Sequence, residues 1–600
     1  MSDPKLLTGN EAIARGAWEA GVSVACAYPG TPSTEILETI ARNYPEIKAE
    51  WSVNEKTALE TAAGAALSGC RTITAMKHVG LNVAADPLFS LSYMGVKGGL
   101  VIAVADDPHM YSSQNEQDSR HYGRAAKLPV LEPADSEEAR SFTKKALAIS
   151  EQFDTPVILR SETRISHSAG ITNCQPIEEV KTAGTFKKNP QKYVMIPTYA
   201  RKRHIIVEKM IKKLTAFAEE SQLNYSENKN TDIGFITSGL SYNYLKEVMP
   251  GYSVLKLGMI WPLPRQKITA FANSVKRVII IEELDPFLET EIKAMGIRAE
   301  GKNITGYCGE LTPEKLINNL MQKKIIPRAK YQHKSSYSVK PGTDNTIDTS
   351  DLPARPPVLC PSCPHRATFY ILSKLKTPVM GDIGCYTLAA FPPLKAIDTT
   401  MNMGAGVAMA AGMEKTYKNK KKNIAVIGDS TFLHSGITNL LNVTYNQANT
   451  LTVILDNRIT AMTGMQENPA SGYTLQGSET KTVDFKKLVI ALGIKPENVH
   501  QESPYNLKEF EKKIKDLMQK NSPAVMIATQ ACALLKRYKK SAPRRKIDPA
   551  KCEDCGQCLR IGCPAICKTD KGMKINSSLC QGCSICEQIC TFDAIGPDNG

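Results

Sequence analysis

Of the nine cysteines within the 39 residues from Cys552 to Cys590, eight fall in the runs CEDCGQCLRIGC and CQGCSICEQIC. Each run opens with three cysteines two residues apart and closes with a fourth. Three thiolates at that spacing wrap one face of a four-iron cube, and where two such motifs occur together the trailing cysteine of each closes the cluster of the other. The rule groups Cys552, Cys555, Cys558 and Cys590 around one 4Fe–4S cluster, and Cys580, Cys583, Cys586 and Cys563 around a second. A zinc ribbon or a disulfide framework is the alternative, but eight cysteines at this rhythm leave either little room. Residues 546–600 are therefore expected to form a small two-cluster module, and the chain to handle electrons. Two departures from the common pattern stand out: four residues separate Cys558 from Cys563 where three are usual, and Thr591 replaces the proline that often follows the last cysteine. Cys567 is left over and is expected to be a small buried apolar residue.

Six hundred residues exceed what one core can organise, and typical domain sizes suggest roughly four domains. Nine of the 17 cysteines lie in the last 50 residues and the others are scattered. With no signal peptide and no apolar run of membrane-span length, the expectation is a cytoplasmic protein in a reducing cell, with no membrane partner. The net charge of +15 is dispersed and lacks interleaved aromatics, which argues against a nucleic-acid partner. One dense basic stretch, KRYKKSAPRRK at 536–546, is either a charged linker or a docking patch for an acidic redox carrier.

Upstream, apolar strands alternate with amphipathic helices, the pattern of doubly wound α/β domains. VSVACAYPGTPSTEIL, TALETAAGAALSG, RTITAM and GGLVIAVAD give a first domain over 1–175. A Lys-rich passage near Asn173 to Tyr193 reads as a linker, and a helical lead-in opens a second, smaller α/β domain over 195–330. A polar linker, 331–357, precedes a third α/β domain over 358–540 with strands NIAVIGD, LTVILDN and AVMIATQ.

In that third domain one strand ends at Gly428, Asp429 and Ser430, and another at Asp456 and Asn457. Asp429 and Asn457 are 28 residues apart, the length of one crossover, so the two carboxyl ends can lie side by side. Ligands of open parallel sheets bind at such edges. An Asp oxygen, an Asn amide oxygen and a backbone carbonyl just beyond form a hard shell suited to Mg2+ holding a diphosphate, and Gly428 would let backbone approach it. A plain strand-ending turn is the simpler alternative.

These residues resemble the metal fingerprint of thiamine-diphosphate enzymes, with Ser430 in place of a final glycine. The longer stretches YPGTPSTEI, WSVNEKTALE, MKHVGLNVAADP, CPSCPHRATFY, GDIGCYTL, GDSTFLHSGITNLLN and LDNRITAMTG resemble the large subunits of the indolepyruvate:ferredoxin oxidoreductase family over nearly the whole chain. The resemblance implies two thiamine-diphosphate-binding doubly wound domains, a transketolase C-terminal-like middle domain and a C-terminal ferredoxin-like α+β module. It implies Mg2+ on Asp429, Asn457 and the Ile459 carbonyl, and places the loop of Cys360, Cys363 and His365, with Gly384 and Cys385, against the cofactor. Asn402 and Gly404 would open a small-residue helix beside it, or merely a tightly packed helix. Glu55 would contact the aminopyrimidine ring as the relay carboxylate, with Glu60 one turn later as the rival and dipole-favoured helix start as the simpler role. Thr31 would face substrate or cap a turn. His78 and His434 are candidate proton handlers or structural histidines.

The activity so implied is oxidative decarboxylation of aryl 2-oxoacids such as indolepyruvate. Electrons would pass through the two clusters to ferredoxin, and the acyl group to coenzyme A as co-substrate. The resemblance also implies a smaller β subunit, giving an αβ pair, doubled to α2β2. Two other classes remain open: a non-oxidative thiamine-diphosphate decarboxylase, which leaves the clusters without a task, and an electron-carrier subunit, which leaves the metal edge without one.

Overall fold

A computed structural model describes residues 3–178, 186, 188–326, 357–415, 422–538 and 542–598. It divides into two compact units, Met1–Leu352 and Pro353–Gly600. The linker expected at 331–357 lies outside the described residues except for its last position.

The first unit is built on two sheets. The larger has seven strands in the order Met259–Trp261, Val130–Leu131, Val157–Glu162, Leu100–Asp106, Thr72–Lys77, Val24–Ala27 and Lys48–Trp51. All neighbours pair in parallel except Met259–Trp261, which runs antiparallel to Val130–Leu131. Every residue of Thr72–Lys77 and Leu100–Asp106 is buried, as expected of parallel strands covered on both faces. The edge strand comes from the segment expected to form the smaller second domain, so that segment contributes to the first sheet as well as to its own. Its own sheet has five strands, Ala299–Glu300, Arg277–Ile281, Ile233–Ser238, Ser253–Leu257 and Asn224–Glu227, behind the helix Pro197–Glu220. The passage read as a linker from Asn173 begins inside a strand: Ala169–Cys174 pairs antiparallel with Asp3–Thr8.

The second unit carries an all-parallel sheet of five strands, Val379–Met380, Asn423–Gly428, Thr450–Asp456, Ala524–Thr529 and Val499–Glu502. The cysteine module comes next, with two short antiparallel ladders, Arg545–Ile547 with Ile595–Pro597 and Ile566–Thr569 with Gly572–Ile575. Its apolar side is continuous with the core of the parallel sheet: Ile561, Ile566, Met573, Ile585 and Ile595 pack in one cluster with Phe369, Leu455 and Phe510. Cys567 departs from expectation. It is exposed, because it lies on the outward face of the hairpin, with its thiol 3.8 Å from the Lys574 carbonyl. Among the described residues no helix is long and apolar enough to cross a membrane.

Candidate functional site

In the first unit three neighbouring strands end at one carboxyl edge and carry the expected residues there. The strand Lys48–Trp51 leads to the helix Glu55–Leu67, whose N-cap Asn54 accepts the Thr57 N–H at 2.9 Å. Ala58, Leu59, Ala62 and Ala66 hold this helix against the sheet, which turns Glu55 inward, and Glu55 is buried. A Cβ on Gly80 would stand 2.5 Å from Glu55 Oε1, so glycine is needed there for the carboxylate to occupy its place. Glu60, the rival carboxylate, is exposed and paired with Lys56 on the helix surface.

His78 comes directly after the strand Thr72–Lys77 and is buried, with Nε2 3.3 Å from the Asn115 carbonyl and Nδ1 without a hydrogen-bond partner. Burial lowers its pKa, which keeps the ring neutral. Thr31 lies in the turn after Val24–Ala27, and its carbonyl accepts from Ser112 Oγ at 3.1 Å. Ser112 also receives Lys77, whose Nζ donates to the Ser112 carbonyl at 2.6 Å and stands 3.9 Å from Asp107 Oδ2. Burial pushes the Lys77 ammonium down to about 8. Sequence reasoning passed over Lys77, although it occupies the same strand end as His78.

In the second unit the parallel register sets Gly428 beside Leu455, so Asp429 and Asp456 emerge together at the carboxyl edge. Asp429 is buried, and its two oxygens accept the backbone N–H groups of Ser430 at 2.6 Å and Arg458 at 2.7 Å. Burial, with Asp456 as a like-charged neighbour, pushes its carboxyl up to about 8. The Arg458 guanidinium lies 3.1 Å from Asp456. Asn457 Oδ1 accepts the Ile459 N–H at 3.1 Å, and Ser430 Oγ receives the Thr460 hydroxyl at 2.9 Å. Two acids and an amide oxygen at one buried edge form a donor set of oxygens only, which fits a hard divalent cation.

Gly428 and Gly384 have a role that sequence reasoning did not give them. A Cβ on either would press on the Tyr386 ring, at 2.9 and 2.4 Å. Tyr386 is fixed by donating to the Ile383 carbonyl at 3.1 Å and accepting the Gly428 N–H at 3.1 Å. The small-residue helix Ala405–Glu414 begins after Gly404, where the sequence placed it. Asp382 of the GDIGC run accepts the N–H groups of Gly404 at 2.8 Å and Gly406 at 3.1 Å, so a protein carboxylate already caps this helix start. Asn402 is exposed, and it contributes its carbonyl to Ala405. His434 is buried with Nδ1 3.0 Å from Ser435 Oγ.

The Cys360–Arg366 loop, whose last residues form the first turn of the helix Pro364–Leu372, borders this edge. His365 Nε2 lies 3.5 Å from Asn457 Nδ2 and meets the Tyr386 ring edge-on. Burial drives its pKa down to about 4, so the ring is neutral. Cys363 and Cys385 are pushed up by burial, to about 12 and about 11. Cys532, one of the scattered cysteines, is a charged neighbour of both.

The eight module cysteines fall into two sets of neighbours. Cys552, Cys555, Cys558 and Cys590 line one small cavity with Ile547 and Met573. Cys586 has Cys583, Cys563 and Cys580 as its ionisable neighbours. All eight are free thiols. Among the described residues the one group of three candidate ligands within 4.8 Å of one another is Asp118, His121 and Asp285, with no cysteine. Asp118 itself is committed to a buried pair with Arg120.

The basic stretch at 536–546 is partly consumed by the fold. Arg537 pairs with Glu467 at 2.7 Å, Arg545 with Glu587 at 2.8 Å and Lys546 with Asp598 at 3.4 Å, while positions 539–541 lie outside the described residues.

Residues 15–234 match the family model described as "Pyruvate flavodoxin/ferredoxin oxidoreductase, thiamine diP-bdg", and residues 382–528 match "Thiamine pyrophosphate enzyme, C-terminal TPP binding domain". Indolepyruvate oxidoreductase subunit IorA of Archaeoglobus fulgidus is 40% identical over 618 residues, covering 98% of this chain and 97% of the relative. The subunit of the same name from Pyrococcus abyssi is 40% identical over 636 residues, covering 98% and 96%. The 2-oxoglutarate synthase subunit KorA of Archaeoglobus fulgidus is 23% identical and spans 52% of this chain and 97% of its own length.

Proposed function

Since the chain belongs to the indolepyruvate oxidoreductase subunit IorA family, an oxidoreductase family acting on 2-oxoacids with thiamine diphosphate, we propose that it oxidatively decarboxylates aryl 2-oxoacids, indolepyruvate among them. The acyl group passes to coenzyme A. Electrons leave through two 4Fe–4S clusters to an external ferredoxin, and the enzyme assembles with a smaller subunit as αβ pairs, doubled to α2β2.

One observation carries this reading. The Cys360–Arg366 loop reaches the Asp429 edge through His365 and Asn457, and it reaches the cysteine module through Arg366, which donates to the carbonyls of Ile561 and Gly562. A cofactor edge and an electron-accepting framework therefore share one loop. A non-oxidative decarboxylase would have no use for that junction, and a pure electron carrier would have no use for the acid pair.

Thiamine diphosphate, when bound, supplies the nucleophilic carbon and holds the electron pair released by decarboxylation. Asp429, Asn457 and the Ile459 carbonyl hold the Mg2+ that anchors its diphosphate. Glu55 holds a proton against the aminopyrimidine ring, fixed in place by the close approach of Gly80. Neutral His365 packs beside Asn457, and neutral His78 offers Nδ1 as an acceptor at the Glu55 edge. The Thr31 turn, held by Ser112 and Lys77, faces substrate. His434, Cys363 and Cys385 line the buried surroundings of the diphosphate edge. Cys552, Cys555, Cys558 and Cys590 hold one cluster, and Cys563, Cys580, Cys583 and Cys586 the other.

An anaerobic assay of ferredoxin or viologen reduction tests this with indolepyruvate, phenylpyruvate, pyruvate and 2-oxoglutarate, with and without coenzyme A and the smaller subunit. Reduction that requires an arylpyruvate and coenzyme A is expected. Carbon dioxide release with no carrier reduction would favour the non-oxidative alternative instead.

A further inference from the structure

Arg366 is a buried guanidinium, 2% exposed, with no carboxylate in ion-pair range among the described residues. Its Nε donates to the Cys360 carbonyl at 2.9 Å, and Nη1 donates to the carbonyls of Ile561, at 3.2 Å, and Gly562. Its Nη2 is buried without a hydrogen-bond partner. A charge taken out of water without an opposite charge costs several kcal/mol, so a buried guanidinium left this way implies a negative group beside it. The ionisable groups that act most strongly on Arg366 are thiols: Cys563, Cys363, Cys360 and Cys583. Two of these, Cys563 and Cys583, belong to one cluster set, and Ile561 and Gly562 lie directly before Cys563 in the chain. The Ser362 N–H of the same loop points at the Cys563 sulfur.

Among the described residues, the ionisable groups that act most strongly on Cys558 of the other set are Cys552, Cys555 and Cys590, with no cation, and its cavity is lined by Ile547, Met573, Phe592 and Ile595. Each set receives a backbone donor, Arg545 N–H on Cys580 and Ala594 N–H on Cys590, both at 3.3 Å. Backbone donors thus reach both sets, and Cys563 of the second set receives those of Ala565 and Ser362 as well. The Arg545 guanidinium is also close to the second set, but Glu587 at 2.8 Å neutralises it.

We propose that Arg366 is the resident counter-charge of the cluster held by Cys563, Cys580, Cys583 and Cys586, and that it sets this cluster at the higher reduction potential of the two. A cubane with four thiolate ligands is anionic, and gaining one electron makes it more so. A fixed positive charge alongside stabilises the reduced form and raises the potential. Arg366 sits on the loop that also borders the Asp429 edge, so the cluster nearest that loop is the one made easiest to reduce. This inference rests on the two-cluster proposal and adds the residue that makes the clusters unequal.

The test is an anaerobic EPR-monitored redox titration of the full chain with its smaller subunit, with iron and sulfide content and circular dichroism measured on the same samples. Arg366→Gln should move one midpoint to a more negative potential and leave the other in place. Arg366→Lys, which keeps the charge, should stay near the wild-type values, and Arg545→Gln should shift the same midpoint less than Arg366→Gln. Unchanged midpoints in a fully loaded Arg366→Gln protein would overturn the proposal, as would equal shifts in the Gln and Lys variants. Should Arg366→Gln fail to assemble, a loaded Lys variant with wild-type midpoints supports the charge role, and loss of the cluster in both variants overturns it. Wild-type protein without iron and sulfide would instead refute the cluster reading on which it stands.

Discussion

Each unit ends a parallel sheet in a buried acid, but the two acids have different neighbours. Glu55 opens an alanine-rich helix and presses on Gly80. Asp429 stands beside Asp456 at a strand edge, and burial, followed by that like charge, pushes its carboxyl up to about 8. A carboxylate against a small residue suits the gain and loss of a proton on a ligand. Two acids with an amide oxygen call for a cation. The same topological rule, that ligands bind beyond the carboxyl ends of parallel strands, thus yields two chemistries according to what is placed next to the acid.

The largest effect should come from the cation edge. Asp429→Ala removes the proposed metal ligand, where loss of mere supporting contacts already costs ~10–100-fold in metal affinity. Thiamine diphosphate binding in the presence of Mg2+, measured by calorimetry, should be lost together with turnover. Glu55→Gln should instead leave that binding nearly intact and lower turnover by ~100-fold or more, the ordinary share of a proton-handling group. If Glu55→Gln abolished binding, or Asp429→Ala spared it, the division of labour between the edges would fail. Cys552→Ala separates both acids from the electron path: a first round of carbon dioxide release should remain while sustained turnover and carrier reduction stop, with the iron content falling by about half.

Smaller changes sharpen the view of the Glu55 edge. Gly80→Ala puts a methyl 2.5 Å from the carboxylate, and overpacking of this kind costs ~1–3 kcal/mol, read as a lower melting temperature and reduced turnover. On the same helix as Glu55, a Cβ added at Gly64 would meet nothing within 4 Å. Gly64→Ala should raise stability by ~0.5–1 kcal/mol through helix propensity alone. Glu60→Gln should be the quietest, within about 0.5 kcal/mol in stability and without effect on turnover, because it removes only an exposed pair with Lys56.

Much of the fold and the site is legible in the sequence, for identifiable reasons. Cysteine spacing is a local code, and it groups Cys552 with Cys590 and Cys563 with Cys580 as the structure does. The strand ends at Asp429 and Asn457 are legible because a strand–helix–strand crossover has a characteristic length. What escapes the sequence depends on contacts between segments far apart in the chain. Nothing local announces that Met259–Trp261 will join the first sheet, or that Gly384 and Gly428 clear space for one tyrosine ring. Asp382 is hidden inside a motif whose cysteine draws the eye, although it caps the helix at Gly404. Cys567 defies an expectation of burial drawn from residue type, because a two-stranded hairpin always turns one face to solvent.

The central claim is that one chain couples a thiamine-diphosphate edge to two iron–sulfur clusters, and it is tested most directly by the visible spectrum of anaerobic protein loaded with thiamine diphosphate, Mg2+ and its smaller subunit. Adding an arylpyruvate should bleach the thiolate-to-iron absorption in wild-type protein and leave it unchanged in Glu55→Gln over the same interval. Clusters that stay oxidised with every 2-oxoacid while carbon dioxide is released, or that bleach equally in Glu55→Gln, would contradict it.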